Sequence, residues 1–355
     1  MNGERPPAVR AGDPSKAQMQ RIFVTGTAGF IGYHLAELLL AEGFQVHGYD
    51  GLTDYYDVRL KRRRQQRLLQ HPNFAATESM LEDSELLRTV TSEFQPDVIV
   101  HLAAQAGVRY SLENPRAYVD SNVVGTFNIL EIARQLQIQH LLMASTSSVY
   151  GANQQMPFRE TEKADAQLTI YSATKKATES MAHSYANLFE IPITVLRFFS
   201  VYGTWGRPDL ALFKFVDAML DDRPIDIYNN GEMLRDFTFV SDLVRAIRML
   251  IPVVPPGLES RGDVPSTDSL SPVAPFRIVN IGNSEPVRLL DFIDLVEEEL
   301  GKTAIRNYMP MQPGDVAATW ADATLLRDLT GYQPLVGVRE GIAAFVGWFR
   351  DYYQK

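Results

Sequence analysis

The chain has 355 residues, with 34 lysines and arginines against 43 aspartates and glutamates and a net charge of -9. This acidic balance excludes the basic footprint of a general nucleic-acid binder, and the absence of cysteine excludes disulfides, thiolate metal ligands and a cysteine nucleophile. No apolar run is long enough to span a bilayer, and residues 1–18 lack the apolar core of a signal peptide. We therefore predict a soluble, cytoplasmic protein without nucleic-acid, membrane or metal partners, and we interpret residues 1–18 as a flexible tail.

Apolar strands alternate with helices along the first half of the chain. In chain order the patterns predict a strand at 21–26, a helix at 30–43, strands at 44–50 and 97–103, a helix at 117–137, a strand at 140–146, a helix at 171–189 and a strand at 193–199. Strands that are apolar throughout and alternate with helices are typical of a parallel sheet covered on both faces. We therefore predict an α/β fold with a doubly wound parallel sheet.

The pattern becomes irregular after about residue 200, where proline and glycine are more frequent. We predict that residues 19–200 form the doubly wound domain, with some later segments packing back on it. Residues 201–355 are predicted to form mainly a smaller α/β domain. Within it, residues 252–275 are rich in proline, serine and glycine, which is typical of a mobile surface insertion.

A glycine-rich turn stands between the first predicted strand and the first predicted helix. In VTGTAGFIG, Gly26 permits a tight turn, Gly29 lets a phosphate approach the backbone, and Gly32 allows close helix packing. The helix N-terminus then faces a pyrophosphate. Asp50 ends the second strand, where a carboxylate binds the adenosine ribose and repels a 2′-phosphate. The pattern therefore predicts a site for NAD rather than NADP.

Tyr171 and Lys175 stand one helical turn apart in YSATK, so their side chains are predicted to share one helix face. A free tyrosine has a pKa of about 10 and is a poor base near neutral pH. A neighbouring ammonium stabilises the phenolate and lowers that pKa. We interpret the pair as one that exchanges a proton with a carbinol oxygen.

A run of hydroxyl side chains follows the apolar strand in LLMASTSSVYG. The run consists of Ser145, Thr146, Ser147 and Ser148. On these residues alone two interpretations stay open, a serine-rich turn at the surface and a hydroxyl-lined site at the end of a buried strand.

Taken together, these motifs resemble the extended short-chain dehydrogenase/reductases that act on nucleotide sugars. The resemblance rests on the three glycines, on Thr146 four residues before Tyr150, and on Tyr171 with Lys175. Longer stretches resemble one branch, the UDP-glucuronate 4-epimerases: LTDYYDVRLK, HLAAQAGVRYSLENPRAYVDSN, LRFFSVYGTWGRPDLALFKF, RDFTFVSD and MQPGDV. It runs from about residue 19 to the C-terminus and leaves out the tail and the insertion.

The resemblance implies a Rossmann-type domain that holds NAD, a second domain that binds UDP-glucuronate or UDP-galacturonate, and a homodimer built on the helices at 117–137 and 171–189. It implies catalysis by Tyr171, Lys175 and Thr146. Cofactor contacts are implied for Gly26, Gly29, Phe30, Ile31, Gly32, Asp50, Leu81, Ala103, Ala104, Gln105, Asn122, Tyr171, Lys175 and Phe198. Substrate contacts are implied for Arg109, Thr146, Ser147, Ser148, Tyr171, Ser200, Arg207, Arg235 and Asp315, with Arg235 on the UDP phosphates and Asp315 on the uridine ribose.

Three positions depart from the family pattern. Met80 stands where relatives carry an acidic residue at the adenine edge, so adenine is expected to rely on backbone contacts near Leu81. Gly51 stands where many relatives carry asparagine, after the ribose aspartate. Ser200 replaces a frequent threonine and keeps its hydroxyl.

The resemblance also gives the hydroxyl run a meaning. Relatives that dehydrate nucleotide hexoses carry Asp-Glu at the positions of Ser147 and Ser148, and relatives that decarboxylate UDP-glucuronate carry Glu at Ser148. Hydroxyls at these positions can donate hydrogen bonds to the sugar carboxylate. They would hold it out of the perpendicular alignment in which a β-keto acid loses carbon dioxide. The alternative is that Ser147 and Ser148 only cap the following turn.

We predict reversible C4 epimerisation of UDP-glucuronate to UDP-galacturonate through a transient 4-keto sugar, with NAD tightly bound. Two enzymes of the same class stay open, a UDP-glucuronate decarboxylase and a neutral UDP-hexose 4-epimerase. From another class, an NAD-binding regulatory protein stays open, although the intact Tyr171 and Lys175 argue against it.

Overall fold

The computed structural model describes residues 20–355, so the predicted tail lies outside the described residues. The strands are β1 (Arg21–Thr25), β2 (Gln45–Asp50), β3 (Phe74–Glu78), β4 (Val98–His101), β5 (His140–Thr146), β6 (Ile193–Phe198), β7 (Ser200–Tyr202), β8 (Ile225–Ile227), β9 (Leu234–Phe239), β10 (Phe276–Ile281), β11 (Pro286–Arg288), β12 (Arg306–Tyr308) and β13 (Ala318–Thr319).

The α-helices are α1 (Phe30–Ala41), α2 (Val58–Leu68), α3 (Ser84–Phe94), α4 (Tyr110–Glu113), α5 (Pro115–Tyr118), α6 (Gly125–Leu136), α7 (Ile170–Phe189), α8 (Ala211–Leu220), α9 (Val240–Leu250), α10 (Leu289–Leu300), α11 (Thr324–Thr330) and α12 (Val338–Tyr353). Within residues 20–355, none of these helices combines the length and the apolar character that crossing a membrane requires.

The central sheet has seven parallel strands in the order β10-β6-β5-β4-β1-β2-β3. Side chains of α1, α9 and α11 pack on one face, and those of α3, α6 and α7 pack on the other. The predicted α/β fold with a doubly wound parallel sheet is therefore confirmed. The strand order reverses between β1 and β4, and open α/β sheets bind ligands in the crevice at such a switch point.

Helix α7 begins one residue before its predicted start because Thr169 caps it. The Thr169 hydroxyl accepts from the backbone N–H of Ser172, and the Ser172 hydroxyl accepts from the backbone N–H of Thr169. This reciprocal capping box satisfies donors that a helix start leaves free. The helix therefore starts at Ile170 and carries Tyr171 in its first turn.

The helix predicted at 117–137 is interrupted in the structure. It starts earlier, at Pro115, because proline suits the first helical turn, and it contains a π-helical segment at Val119–Val124 before α6. A π-helical segment holds one extra residue, and such segments are frequent at functional sites. The extra residue turns Asn122 inward, where its side chain is buried.

Between residues 50 and 97 the predictions missed β3, α2 and α3. The sequence of β3, FAATE, is short and only partly apolar, and that of α2, VRLKRRRQQRL, is dominated by charge. They also missed β10, which enters the sheet from the second half of the chain.

The second half builds smaller sheets around its own apolar core. Strand β9 lies between β11 and β13 and also pairs with β7, while β8 pairs with β12. Helices α8, α10 and α12 supply most of this core. Because β10, α9 and α11 pack on the first sheet, residues after 200 contribute to both parts of the fold. The division of the chain into two domains at residue 200 stays a prediction.

Part of the predicted insertion at 252–275 is anchored to the outer strand β10. The Ser269 hydroxyl donates to the carbonyl oxygen of Ile278 and accepts from its backbone N–H at 3.0 Å. Asp268 pairs with Arg277 at 3.0 Å. Mobility of the rest of the insertion stays a prediction.

Candidate active site

The glycine turn lies between β1 and α1 and leaves its backbone bare. Gly26 has a φ of +82°, a left-handed conformation that favours glycine, and a Cβ there would lie 2.8 Å from the backbone nitrogen of Ala103. A Cβ at Gly29 would lie 2.9 Å from the carbonyl oxygen of Gly26, and a Cβ at Gly32 would clash with the same oxygen. A bare turn at a helix N-terminus fits the pyrophosphate of a dinucleotide.

Asp50, at the end of β2, supports this turn. Its Oδ2 accepts the backbone N–H of Ala28 at 2.9 Å, and its Oδ1 accepts that of Leu52 at 2.8 Å. Burial raises the pKa of Asp50, while the Leu52 N–H and the ammonium of Lys61 oppose that rise. Each carboxylate oxygen has a second lone pair, so acceptors remain for ribose hydroxyls.

The two departures at the adenine end lie against each other. A Cβ at Gly51 would clash with the Sδ atom of Met80, so the thioether fills the space that a side chain at 51 would need. The Leu81 side chain is buried, and its carbonyl oxygen accepts from Asn128 at 2.8 Å. Met80 and Gly51 are therefore direct neighbours in the structure.

The loop after β4 is tied to the π-helical segment. The backbone N–H of Ala103 donates to the Thr25 hydroxyl at 3.0 Å. Asn122 Oδ1 accepts the backbone N–H of Gln105 at 2.8 Å, and Asn122 Nδ2 donates to the carbonyl oxygen of Gln105 at 3.1 Å. Ala104 lies between these two fixed points, partly exposed.

Helix α7 presents Tyr171 and Lys175 towards the end of β5. The Lys175 Nζ atom is buried and donates to the carbonyl oxygen of Ala144 at 3.0 Å. The Tyr171 ring meets that of Tyr118 edge-on, with centroids 5.9 Å apart. Both predicted catalytic side chains are thus fixed by partners on other elements.

The pKa of Tyr171 is raised, whereas from the sequence we expected the Lys175 ammonium to lower it. Burial raises the pKa of Tyr171, while the Thr146 hydroxyl and the guanidinium of Arg207 lower it. Burial lowers the pKa of Lys175 to about 8, although the Glu179 carboxylate raises it. The Lys175 ammonium points at a carbonyl oxygen. The cation that lowers the pKa of Tyr171 is Arg207, and the carboxylate of its partner Asp209 opposes that effect.

The four hydroxyl residues divide between two directions. Ser145 turns inward and donates to Glu179 at 2.6 Å. Thr146 accepts the backbone N–H of Ser148 at 3.2 Å and so caps the short turn that follows β5. Thr146, Ser147 and Ser148 all line the cleft. In the structure, turn capping is therefore carried by Thr146.

The second half contributes two arginine–carboxylate pairs to the cleft. Arg207 binds Asp209 through two bonds of 3.0 and 2.6 Å, and the Tyr55 hydroxyl donates to Asp209 at 3.2 Å. Arg235 Nη2 lies 3.1 Å from Asp315 Oδ1. The predicted phosphate and ribose ligands are thus neighbours.

Arg109 and Tyr228 meet across the cleft. The guanidinium carbon lies 4.2 Å from the centre of the Tyr228 ring, a cation–π contact between the two halves. Tyr228, like Tyr55, was missed by the sequence reasoning, because aromatic residues in irregular segments carry no periodic signal.

The cleft has a volume of about 1440 Å³. The predicted residues that line it are Phe30, Ile31, Arg109, Thr146, Ser147, Ser148, Tyr171, Phe198, Ser200, Arg207, Arg235 and Asp315. The other predicted residues lie on the glycine turn, in the first turn of α1, at the end of β2, on the loops after β3 and β4, in the π-helical segment and on α7: Gly26, Gly29, Gly32, Asp50, Leu81, Ala103, Ala104, Gln105, Asn122 and Lys175.

A buried ion pair on the helix that carries the predicted catalytic residues was also missed from the sequence. Arg197 and Glu179 are 1% and 2% exposed and are joined by two bonds of 3.0 and 2.8 Å. Burial alone would raise the pKa of Glu179, but Arg197, Lys176 and Ser145 together lower it. A charge inside the apolar strand sequence ITVLRF was the available signal, because a buried charge requires a partner.

Similarity to known proteins agrees with this geometry. A profile of the NAD dependent epimerase/dehydratase family matches residues 22–258. A probable UDP-glucuronate 4-epimerase of Rhizobium meliloti (strain 1021) is 54% identical over 336 residues, which cover 94% of this chain and 98% of that protein. A UDP-glucuronate 4-epimerase of Thermodesulfobacterium geofontis (strain OPF15) is 38% identical over 92% of this chain and 95% of that protein.

A solved structure of similar length has the same fold. The UDP-glucuronic acid 4-epimerase from Bacillus cereus, in complex with UDP-glucuronic acid and NAD, is 31% identical with a TM-score of 0.83 over 94% of this chain and 100% of that one. Because the family profile spans more than half of the chain and the R. meliloti protein matches nearly all of it, this chain belongs to the NAD dependent epimerase/dehydratase family.

Proposed function

We propose that this protein is an NAD-dependent UDP-glucuronate 4-epimerase, which interconverts UDP-glucuronate and UDP-galacturonate. The observation that carries the proposal is the position of Thr146, Ser147 and Ser148, which line the cleft beside Tyr171. The relatives named for this activity match nearly the whole chain, and they support the same reading.

The glycine turn and Asp50 fit NAD. The turn offers bare backbone where a phosphate needs close approach, and the Asp50 carboxylate repels a 2′-phosphate while accepting from ribose hydroxyls. When bound, NAD supplies the acceptor and the donor of the hydride at the sugar C4. Gln105, Asn122 and Lys175 would hold the nicotinamide end of the cofactor.

Tyr171 moves the proton. Its phenolate takes the proton of the C4 hydroxyl, and Thr146 and Arg207 stabilise that phenolate. The 4-keto sugar then turns about its phosphate linkage and presents its other face, and Tyr171 returns the proton to the oxygen on C4. Because C4 regains the hydride that it lost and its oxygen regains the proton, the conversion involves no net oxidation.

The hydroxyl residues hold the sugar carboxylate. Thr146, Ser147, Ser148 and Ser200 line the cleft and offer donors. Held away from the perpendicular alignment, the carboxylate of the 4-keto sugar stays attached. Decarboxylases carry a glutamate at the position of Ser148, and a glutamate there would repel the sugar carboxylate. Because this chain has serine at 148, a decarboxylase is not favoured. A neutral hexose is not favoured either, because it would leave these donors without a charged partner.

The nucleotide is held by the second half. Arg235 offers a guanidinium fork, which suits phosphate oxygens, and Asp315 beside it accepts from ribose hydroxyls. Arg207 and Arg109 add positive charge along the same cleft.

NMR spectroscopy of UDP-glucuronate incubated with the protein alone tests the proposal. We expect UDP-galacturonate to accumulate with no added cofactor and no release of carbon dioxide. A UDP-pentose product would identify a decarboxylase, and faster conversion of UDP-glucose would identify a neutral-sugar epimerase. Binding of NAD with no conversion of either sugar would favour a regulatory protein.

The same proposal includes a homodimer. Apolar side chains on the outer faces of α6 and α7 are exposed, among them Phe127 at 45% and Leu188 at 68%. Phe189, at the end of α7, and Val124, at the end of the π-helical segment that leads into α6, are also exposed. A second copy that packs α6 and α7 against their counterparts would bury these residues in a four-helix interface.

A cytoplasmic location is also part of the proposal. Both ligands are charged nucleotides, which do not cross membranes unaided. Cell fractionation with antibody detection tests this location, and recovery outside the cytoplasmic fraction would contradict it.

A further inference from the structure

The turn at residues 204–206 leads into Arg207 and is attached to the cofactor-binding half. Nε2 of His34, on α1, donates to the carbonyl oxygen of Thr204 at 2.8 Å. Trp205 has a φ of +56°, a left-handed conformation that is an outlier for a bulky side chain. Such a conformation persists only where its surroundings hold it.

Arg64, on α2, supplies most of that support. It is 0% exposed, and its Nη2 donates to the carbonyl oxygens of Trp205 at 2.6 Å and Gly206 at 3.3 Å. Its Nη1 donates to the carbonyl oxygen of Ala28 at 2.8 Å and to the Tyr56 hydroxyl at 2.7 Å. The buried guanidinium thus donates most of its hydrogen bonds to the backbone of two turns.

These two turns serve different ligands. Ala28 belongs to the glycine turn, and its N–H is held by Asp50. Trp205 and Gly206 immediately precede Arg207, which lines the cleft. Because a guanidinium is planar and rigid, a shift of either turn changes the hydrogen-bond geometry at the other.

We propose that Arg64 is a positioning residue that couples the binding of the cofactor to the binding of the nucleotide sugar. Ordering of the glycine turn by NAD fixes Arg64, and Arg64 fixes the turn that aims Arg207 into the cleft. This inference rests on the proposed function, because it takes NAD and a UDP-sugar as the two ligands. Coupling between binding sites is reciprocal, so UDP must tighten NAD binding by the factor by which NAD tightens UDP binding.

Equilibrium dialysis of the full-length holoprotein against graded NAD, with and without saturating UDP, measures this factor. For the native protein we expect UDP to lower the Kd for NAD by about fivefold or more, the lower end of typical coupling. Arg64→Lys keeps the charge but loses the fork, and we expect its ratio to fall below about twofold. The matched control is Arg62→Lys on the same helix, where the exposed guanidinium lies 3.6 Å from Glu78 and the ratio should stay native.

The ratio separates positioning from simple stabilisation. A residue that only stabilises the fold would lower Tm and weaken both affinities while leaving the ratio unchanged, and that result in Arg64→Lys would overturn the proposal. A native protein with no coupling would overturn it too. If Arg64→Lys does not fold, His34→Phe decides, because it releases the same turn from α1, and an unchanged ratio there counts against the proposal. A native protein that binds NAD but not UDP would instead contradict the proposed function.

Discussion

Tyr171 is the residue whose surroundings decide the proposed chemistry. Burial and the Asp209 carboxylate raise the pKa of Tyr171, whereas the Thr146 hydroxyl and the Arg207 guanidinium lower it. A group held between opposing influences can take and return a proton within one catalytic cycle, which an epimerase requires and a one-way base does not.

Tyr171→Phe removes the proton carrier and keeps the ring. We expect turnover of UDP-glucuronate to fall by about 10² to 10⁴, the usual range for an acid–base group. The edge-on contact with Tyr118 survives the change, so the thermal midpoint should stay near that of the native protein. NMR rates and a thermal melt provide the two measurements, and retained turnover would mean that another group is the base.

Ser148→Glu places a carboxylate in the hydroxyl cluster. Repulsion between it and a sugar carboxylate about 4 Å away is about 4 kcal/mol at an effective dielectric near 20. We therefore expect weaker binding of UDP-glucuronate and a shift of product from UDP-galacturonate towards a decarboxylated 4-keto pentose. NMR spectroscopy and carbon dioxide release measure the shift.

The milder variant Ser148→Ala is the matched control, since it removes one donor and adds no charge. It should bind the substrate with a smaller loss. If both variants epimerise as well as the native protein and release no carbon dioxide, the cluster does not hold the carboxylate.

At the scale of elements, α7 is locked to the sheet by the pair between Glu179 and Arg197. The pair joins α7 to β6, and the bond from Ser145 to Glu179 joins both to β5. These contacts fix the end of β5, where the carbonyl oxygen of Ala144 accepts a hydrogen bond from the Lys175 ammonium. The buried pair therefore fixes the position of α7, which carries the predicted catalytic residues, relative to the hydroxyl cluster at the end of β5.

Glu179→Gln should change both stability and pH dependence. Removing one partner of a buried pair costs about 3 to 5 kcal/mol, so the free energy of unfolding in urea should fall by about that amount. Glu179 also raises the pKa of Lys175, which stands at about 8, so its loss lets Lys175 lose its proton at lower pH. The alkaline limb of the rate profile should move to lower pH. Glu190→Gln, at the exposed end of the same helix, is the control, and an unmoved alkaline limb in Glu179→Gln would separate Lys175 from that limb.

The π-helical segment supports a second prediction at this scale. Asn122→Ala removes the side chain that satisfies both backbone groups of Gln105. An unsatisfied buried polar group costs about 1 to 3 kcal/mol, so we expect a loss of stability in that range and faster loss of NAD on dialysis. Urea unfolding and the retained NAD measure these effects. Stability and retention equal to those of the native protein would show that this tie is not needed.

Elements with strong periodic patterns could be predicted from the sequence, and the others could not. The apolar run of β5 and the capped, amphipathic α7 appear as predicted because local sequence decides both. The π-helical segment was not predictable, since its extra residue is stabilised by Asn122 reaching a loop distant in sequence. Strand β10 was missed although its sequence, FRIVNI, is rich in residues that favour strands, and its place at the edge of the first sheet could not be read from its position late in the chain.

The same distinction applies to the site. The glycines, Asp50, Tyr171 and Lys175 are visible as spaced motifs. The structure places the glycines and Asp50 at the ends of β1 and β2, and it directs Lys175 to the end of β5. The electrostatic effects of Arg207 and Asp209 on Tyr171 could not be predicted, because they depend on how the two halves of the chain fold together.

At the scale of the whole molecule, the two halves share elements and not only a cleft. Strand β10 completes the first sheet, and α9 and α11 cover one of its faces, although all three follow the predicted boundary at residue 200. The cleft is therefore built on a continuous core.

The proposed dimer yields a prediction at this scale. Phe127→Glu combined with Leu188→Glu places charges in the apolar face of α6 and α7, so the protein should sediment as a monomer. Leu335→Glu is the control, because Leu335 is 72% exposed on another surface. Sedimentation velocity makes the measurement. A double variant that stays dimeric would place the interface elsewhere.

The anchored part of the insertion matters for how copies of this chain behave when crowded together. An outer strand with free N–H and C=O groups is a template on which a foreign strand can add, the first step of aggregation. Along β10, the Ser269 hydroxyl occupies both groups of Ile278, and the N–H of Ser271 donates to the carbonyl oxygen of Phe276 at 2.8 Å. Residues 268–271, which look dispensable in the sequence, thereby prevent the edge strand β10 from pairing with a strand of another molecule.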